Sequence, residues 1–181
     1  MDSFYTPDEL KKLGFKAFGQ EVYISKKASF YSPEKITLGN HVRIDDFCIL
    51  SGEITIGNYV HISAFNALYG KAGIKIGNFC GISPRCTLFS VSDDFSGQAM
   101  VSPMVPAHLT KLSEGPITLC DFAQIGAHSV VMPGCTLAEG AVCGAFSFVN
   151  KNLPPWTVSI GVPCRLLKKR LQNPKNLAAS I

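Results

Sequence analysis

Charge is scarce in this chain, with 17 lysines and arginines and 13 aspartates and glutamates among 181 residues. The balance of +4 is too small to require a nucleic-acid partner. No apolar run approaches the ~18 residues of a membrane span. Residues 1–20 also lack the charged, apolar and small-residue succession of a signal peptide, so the protein is read as cytoplasmic. The seven cysteines include no C-x-x-C pair and are odd in number, which argues against a disulfide or zinc framework and for reduced thiols used as small apolar side chains. Hydrophobic residues make up 46% of the chain, enough for a folded core, and the length fits about one domain.

What the chain has in abundance is a period of six. Leu38, Ile44, Leu50, Ile56, Ile62 and Leu68 follow one another at that spacing. After a step of eight come Ile76, Ile82 and Leu88. The series resumes with Leu119, Ile125, Val131, Leu137, Cys143 and Val149. Fourteen of these fifteen are Ile, Leu or Val, against 41 such residues in the whole chain of 181. A second column sits four residues later and holds small or β-branched side chains, among them Val42, Cys48, Ile54, Asn66, Cys86, Ala123, Ser129 and Ser147. Glycine often follows the first column, as in Ile56-Gly57 and Ile125-Gly126. A helix would place apolar residues three and four apart and a half-buried strand every second residue. A period of six fits one short strand plus a turn, stacked coil on coil as a parallel β-helix.

Residues 36–160 are therefore expected to form an all-β coil of hexapeptides, interrupted by a protruding loop at 89–118, where the rhythm fails. Residues 1–35 are expected to cap it. There Thr6-Pro7-Asp8-Glu9 reads as an N-cap, a first-turn proline and acids at the positive end of a short helix ending near Gly14. Residues 161–181 are expected to form a short basic helix over Pro163 to Leu171, stopped by Pro174, and a tail.

The [Leu/Ile/Val]-Gly-x-x-[small]-x unit resembles the left-handed β-helix hexapeptide acyltransferases, particularly the galactoside, maltose and surface-polysaccharide O-acetyltransferases. The stretch from Ile117 to His128, the Gly144-Ala-Phe-Ser147 turn, and the ending from Leu153-Pro-Pro-Trp156 through Gly161-Val-Pro-Cys-Arg165 carry the likeness. The resemblance implies a left-handed coil and a homotrimer with sites between subunits. It also implies acetyl transfer from acetyl-CoA to a hydroxyl of a sugar or surface-polysaccharide intermediate. N-acetylation of an amino sugar, perhaps nucleotide-linked, is the alternative acceptor chemistry, and a non-catalytic binding scaffold is the alternative of another class.

Acyl transfer needs a base for the acceptor proton, donors for the oxyanion and a cleft that aligns both reactants. Histidine suits the base. His41 and His128 fall in turn slots, whereas His61 lies in an outward slot beside the two-residue insertion around Tyr69 to Gly73, and His108 lies among the prolines of the loop. The galactoside-type relatives carry a catalytic histidine near the positions of Ser92, Asp93, Asp94 and Phe95, where this chain has none. His61 is the favoured base, with Asp93 or Asp94 orienting it, and His108 the other candidate. Asn66, the one amide in the small-residue column, is expected to contact the acceptor. The resemblance further implies that Ala127 and Ala145 line the pantetheine path, with Asn150 beyond them and Arg165 and Lys168 near the phosphates of the donor. No metal is expected, because Gly81 and Gln124, not histidines, stack beyond His61, and catalytic zinc needs three converging ligands.

Overall fold

The computed structural model describes residues 3–181. In it the six-residue rhythm becomes a parallel β-helix of seven triangular rungs. The first six rungs are each three short strands joined at three corners, and the seventh supplies only the first two faces. The strands stack in register because the column residues occupy equivalent positions. On the first face Phe18, Leu38, Ile56, Ile76, Leu119, Leu137 and Leu153 lie one above another. The second face stacks Ile24, Ile44, Ile62, Ile82, Ile125, Cys143 and Ser159. The third stacks Phe30, Leu50, Leu68, Leu88, Val131 and Val149. Strands Ile49–Ile56 and Ala67–Ile76 run around a corner and join the third face to the first.

The interior belongs to these columns and to the second sequence column, whose Val42, Cys48, Ile54, Val60, Cys86 and Ala123 are buried. Each fully buried Ile or Leu contributes about 1.5–3 kcal/mol. All seven cysteines are free. Burial pushes the Cys48 thiol up to about 11 and those of Cys80 and Cys143 to about 12. These thiols stay neutral at pH 7 and act as packing groups, not nucleophiles.

Two ladders hold one corner. Asn40, Asn58, Asn78 and Asp121 each accept, through Oδ1, the backbone N–H of the residue one rung below, at 2.7–2.8 Å. One residue further along, His41, Tyr59, Phe79 and Phe122 adopt left-handed backbone conformations and stack their rings at 4.5, 4.9 and 5.1 Å. A positive φ strains a residue with a side chain, and the ring stack offsets that cost. Gly140 takes the same slot in the next rung. A Cβ there would lie 2.4 Å from the Trp156 ring, so glycine lets that ring lean across the gap onto Phe122 at 5.8 Å.

The two ends depart from the expected boundaries. The coil begins at Ala17–Phe18, not at residue 36, and residues 17–31 supply a whole rung. Aromatic Phe18 and Phe30 stand there in the aliphatic columns, which hid the rung from a search for Ile, Leu and Val. Before it, helix α1 (Pro7–Lys12) carries the Thr6 capping box, and Leu10 is buried under the coil. Hydrogen bonds from Lys26 and from the Thr6 backbone hold the Glu9 carboxyl at about 2. At the other end the basic segment is a strand, Arg165–Lys169, antiparallel to Thr157–Ile160. The last rung offers an open sheet edge, and pairing satisfies its backbone groups better than a helix would. The short helix, α2 (Asn173–Ala178), comes after it, with Pro174 in its first turn. Proline starts this helix instead of stopping the previous element, as its missing N–H allows.

Candidate active site

The loop leaves the coil after Leu88 and returns at Ile117. Its base is an antiparallel hairpin of Val91–Asp93 and Leu112–Glu114. Ser90 pins the hairpin to the coil: its hydroxyl donates to the Tyr69 carbonyl at 2.8 Å and accepts from Ala72 N–H at 2.9 Å. Beyond the hairpin the chain folds through a bridge between Met100 and Thr110 and a 3-10 turn at Ala107–Leu109. Large apolar side chains at the tip are left in the open, with Phe95 81% and Met104 89% exposed.

Between the hairpin and the third face lie two cavities. The larger, about 820 Å³, sits toward the earlier rungs and is lined by Ala67, Tyr69, Lys71, Thr87, Ser102 and Thr110 among others. The smaller, about 420 Å³, sits toward the later rungs and is lined by Phe95, Val130, Met132 and Phe148. Phe89, Val91, Asp93 and Leu112 line both. Asp93 is thus the one ionisable side chain at the junction, and its carboxylate has no ion-pair partner among the described residues. The next residue is oriented differently. Asp94 accepts from the Ser96 N–H at 2.9 Å and its hydroxyl at 3.0 Å, and these bonds, helped by Lys111, hold its carboxyl below the ordinary range. Asp94 closes the turn of the hairpin and is not among the cavity-lining residues.

His61 lies elsewhere. It faces outward on the second face, in register between Arg43 and Gly81, and its Nε2 meets Asp45 Oδ2 at 2.7 Å. Asp45 Oδ1 accepts from Arg43 Nε at 2.7 Å. Partial burial raises the Asp45 carboxyl, but the hydrogen bonds from Arg43 and His61 outweigh it and leave the group below its ordinary value. An ionised Asp45 selects the tautomer with the proton on Nε2 and leaves Nδ1 free to accept. The carboxylate partner of His61 is therefore Asp45, not Asp93 or Asp94, which stand on the hairpin over a different face.

Asn66 does not reach the surface. Its amide donates to the Ser63 carbonyl at 2.6 Å and its Oδ1 accepts from Cys86 N–H at 2.7 Å. Both ends of the side chain are spent joining two rungs, so it has no group left for an acceptor. His108 is exposed in the 3-10 turn of the loop. His41 and His128 belong to corner stacks, the latter on Phe146 at 4.7 Å. Ala127 and Ala145 occupy successive corners between the second and third faces, where the Phe146 N–H donates to the Ala127 carbonyl at 2.8 Å. Asn150, Arg165 and Lys168 are exposed at the same end of the coil. Sequence reasoning missed Asp45 and the apolar walls Phe89, Val130, Met132 and Phe148. The only available signal for these walls was an aromatic or aliphatic residue in outward slots that threonine mostly fills on the first face.

Among the described residues no group of three His, Cys, Asp or Glu could hold a metal ion, and no helix is long and apolar enough to cross a membrane. No protein-family model matches the chain. Over 165 residues, 90% of this chain and 86% of the other, it is 39% identical to a dTDP-4-amino-4,6-dideoxy-D-glucose acyltransferase of Escherichia coli. A shorter stretch of 54 residues, 30% of this chain and 27% of the other, is 44% identical to the galactoside O-acetyltransferase of Escherichia coli strain K12. Among solved structures, AntD, an N-acyltransferase from Bacillus cereus seen with dTDP and 3-hydroxybutyryl-CoA, superposes with a TM-score of 0.98 at 45% identity, covering 99% of this chain and 96% of that one. A hexapeptide-repeat acetyltransferase from Vibrio cholerae shares the fold, with a TM-score of 0.65 at 21% identity over 90% and 78% of the two chains. With its columns, its loop and these relatives, the chain belongs to the left-handed β-helix hexapeptide-repeat acyltransferases.

Proposed function

We propose that this enzyme transfers an acyl group from a coenzyme A thioester to the amine of a nucleotide-linked amino sugar, working as a cytoplasmic homotrimer. The observation that carries the acceptor chemistry is Asp93, a carboxylate with no ion-pair partner among the described residues, at the junction of two otherwise largely uncharged cavities. An amino sugar arrives as an ammonium ion, which such a carboxylate holds through a charge-assisted hydrogen bond. A hydroxyl acceptor gains much less from it. Of the two acceptor chemistries open from the sequence, the amine is better supported, and the long-matching relatives that act on or bind dTDP-linked amino sugars agree. The complexes of AntD with coenzyme A and with an acyl-CoA support the donor.

In this reading the larger cavity receives the sugar. The pantetheine arm follows the Ala127 and Ala145 corners past Asn150, and Arg165 and Lys168 meet the phosphates. The ammonium releases one proton to solvent, and the neutral amine attacks the thioester carbonyl while its second proton passes to the base. The tetrahedral oxyanion then collapses to an amide, expelling the thiolate of coenzyme A, which takes that second proton from the base. His61, held by Asp45, is the proposed proton acceptor. It faces away from the cavities of its own chain, so it serves the site only across a subunit boundary, with the second face of one prism against the loop of the next. The exposed apolar loop tip fits such a contact.

The test is acyl transfer to dTDP-4-amino-4,6-dideoxyglucose, followed by release of free coenzyme A thiol and the mass of the amide. Turnover with the amino sugar well above that with the matching hydroxyl sugar is expected. Preference for the hydroxyl sugar overturns the acceptor assignment. Failure of saturating coenzyme A to raise the thermal midpoint would instead favour a binding scaffold.

A further inference from the structure

We infer that the smaller cavity is an acyl chamber, built for a donor whose acyl group is longer than acetyl, with Met132 at the position that sets chain length. The inference rests on the proposed donor route and concerns which thioester is used. The corner residues Ala127 and Ala145 precede Val130 and Phe148 by three residues on their rungs, and Val130 pairs with Phe148 in register. An arm running along that corner therefore delivers its thioester to the third face at Val130 and Phe148. Both side chains line the smaller cavity.

Phe89, Val91, Phe95, Leu112, Val130, Met132 and Phe148 make its wall apolar, and Ser92 and Asp93 are its only polar lining residues. A two-carbon acyl group occupies a small part of about 420 Å³. It would leave apolar wall facing water that each added methylene displaces. Polar character is concentrated at the hairpin edge, where Asp93 also faces the sugar cavity, so the carbonyl end meets the amine there and the hydrocarbon end points along the rungs. Met132 donates its backbone N–H to the Val149 carbonyl at 2.9 Å, which fixes its strand. Its side chain is unbranched and half-buried against the core, the kind of adaptable wall that a substitution reshapes without disturbing the coil.

The experiment compares acetyl-CoA with butyryl-CoA on the intact protein, both as donors to dTDP-4-amino-4,6-dideoxyglucose and as ligands by calorimetry without acceptor. Butyryl-CoA is expected to win by about 10- to 200-fold in kcat/KM, the range for a methylene or so in an apolar pocket, and to bind at least tenfold more tightly. Met132→Phe fills the chamber and is expected to shift both ratios toward acetyl by tenfold or more. Met132→Ala enlarges it and should shift them toward hexanoyl-CoA, and circular dichroism checks that each variant keeps its fold. Equal use and equal binding of the two thioesters by the unmodified enzyme overturns the inference. So do ratios that stay fixed in both folded variants. A tenfold binding preference without transfer to any amino sugar upholds the chamber and overturns the acceptor proposal instead.

Discussion

The third face and the second face of this prism each hold half of what acyl transfer needs. The third face has enclosure. Two cavities meet at Asp93 under the hairpin, yet no histidine lines either. The second face has the proposed base. Asp45 holds His61 at 2.7 Å with Arg43 behind it, yet the imidazole is half-exposed and lines neither loop cavity. Shape without a base and a base without shape, on two faces of one chain, support the proposal that a complete site is assembled from neighbouring chains. A threefold arrangement would do this, because its contacts are head-to-tail and close into a ring.

The sharpest way to break that comparison is to damage each half separately and then mix. Asp93→Asn and His61→Asn are each expected to lower kcat/KM by about 10²–10⁴. When the two inactive proteins are unfolded and refolded together at equal ratio, every mixed trimer contains one site with both residues intact, so about a quarter of the normal activity returns. Activity that stays at the sum of the two variants would place both residues in one chain's site or remove one of them from the chemistry. A near-normal rate for His61→Asn alone would assign the second face to structure and move the search for a base to His108.

Asn66 sharpens the contrast from the other side. It breaks the pattern of its column, which is why it drew a functional reading, but its hydrogen bonds to Ser63 and Cys86 are the kind that buried polar groups require. Asn66→Ala leaves the Cys86 N–H unsatisfied inside the coil. The expected cost is about 1–3 kcal/mol of stability, read from chemical denaturation, with the KM for the amino sugar unchanged in the folded fraction. A raised KM with full stability would return Asn66 to the substrate.

The coil was legible because its rule is local: one column residue every six, and the same side-chain size needed at every rung. Ile44, Ile62 and Ile82 announce their stacking without any tertiary information. The first rung was not, because Phe18 and Phe30 satisfy the same burial with a different residue class. Nor was the strand Arg165–Lys169, whose conformation is set by an edge that exists only once the rungs have stacked. The cavities were least legible. Val91 and Leu112 stand 21 positions apart and become neighbours only through the hairpin, and Val130 and Phe148 line a wall only because a loop from an earlier rung folds over them. His61 could be singled out by its slot, but its partner Asp45 lies one rung away, at a distance set by coil geometry and not by sequence spacing.

The smallest effect expected concerns that partner. Asp45 does not touch substrate in the proposed site; it positions His61 and fixes its tautomer. Asp45→Asn should lower kcat by about tenfold, leave the KM for the amino sugar unchanged, and alter the acid limb of the pH–rate profile, which a purely structural role would not move. Stability supplies the independent check. The carboxyl is held below its ordinary 3.8, so its contribution is fully present above that pH and is lost as pH falls through the lower native value. The thermal midpoints of the native protein and of Asp45→Asn should therefore differ at pH 6 and converge in strong acid. A gap that persists in strong acid would mean that the carboxylate contributes through packing, and that His61 is oriented by something other than its charge.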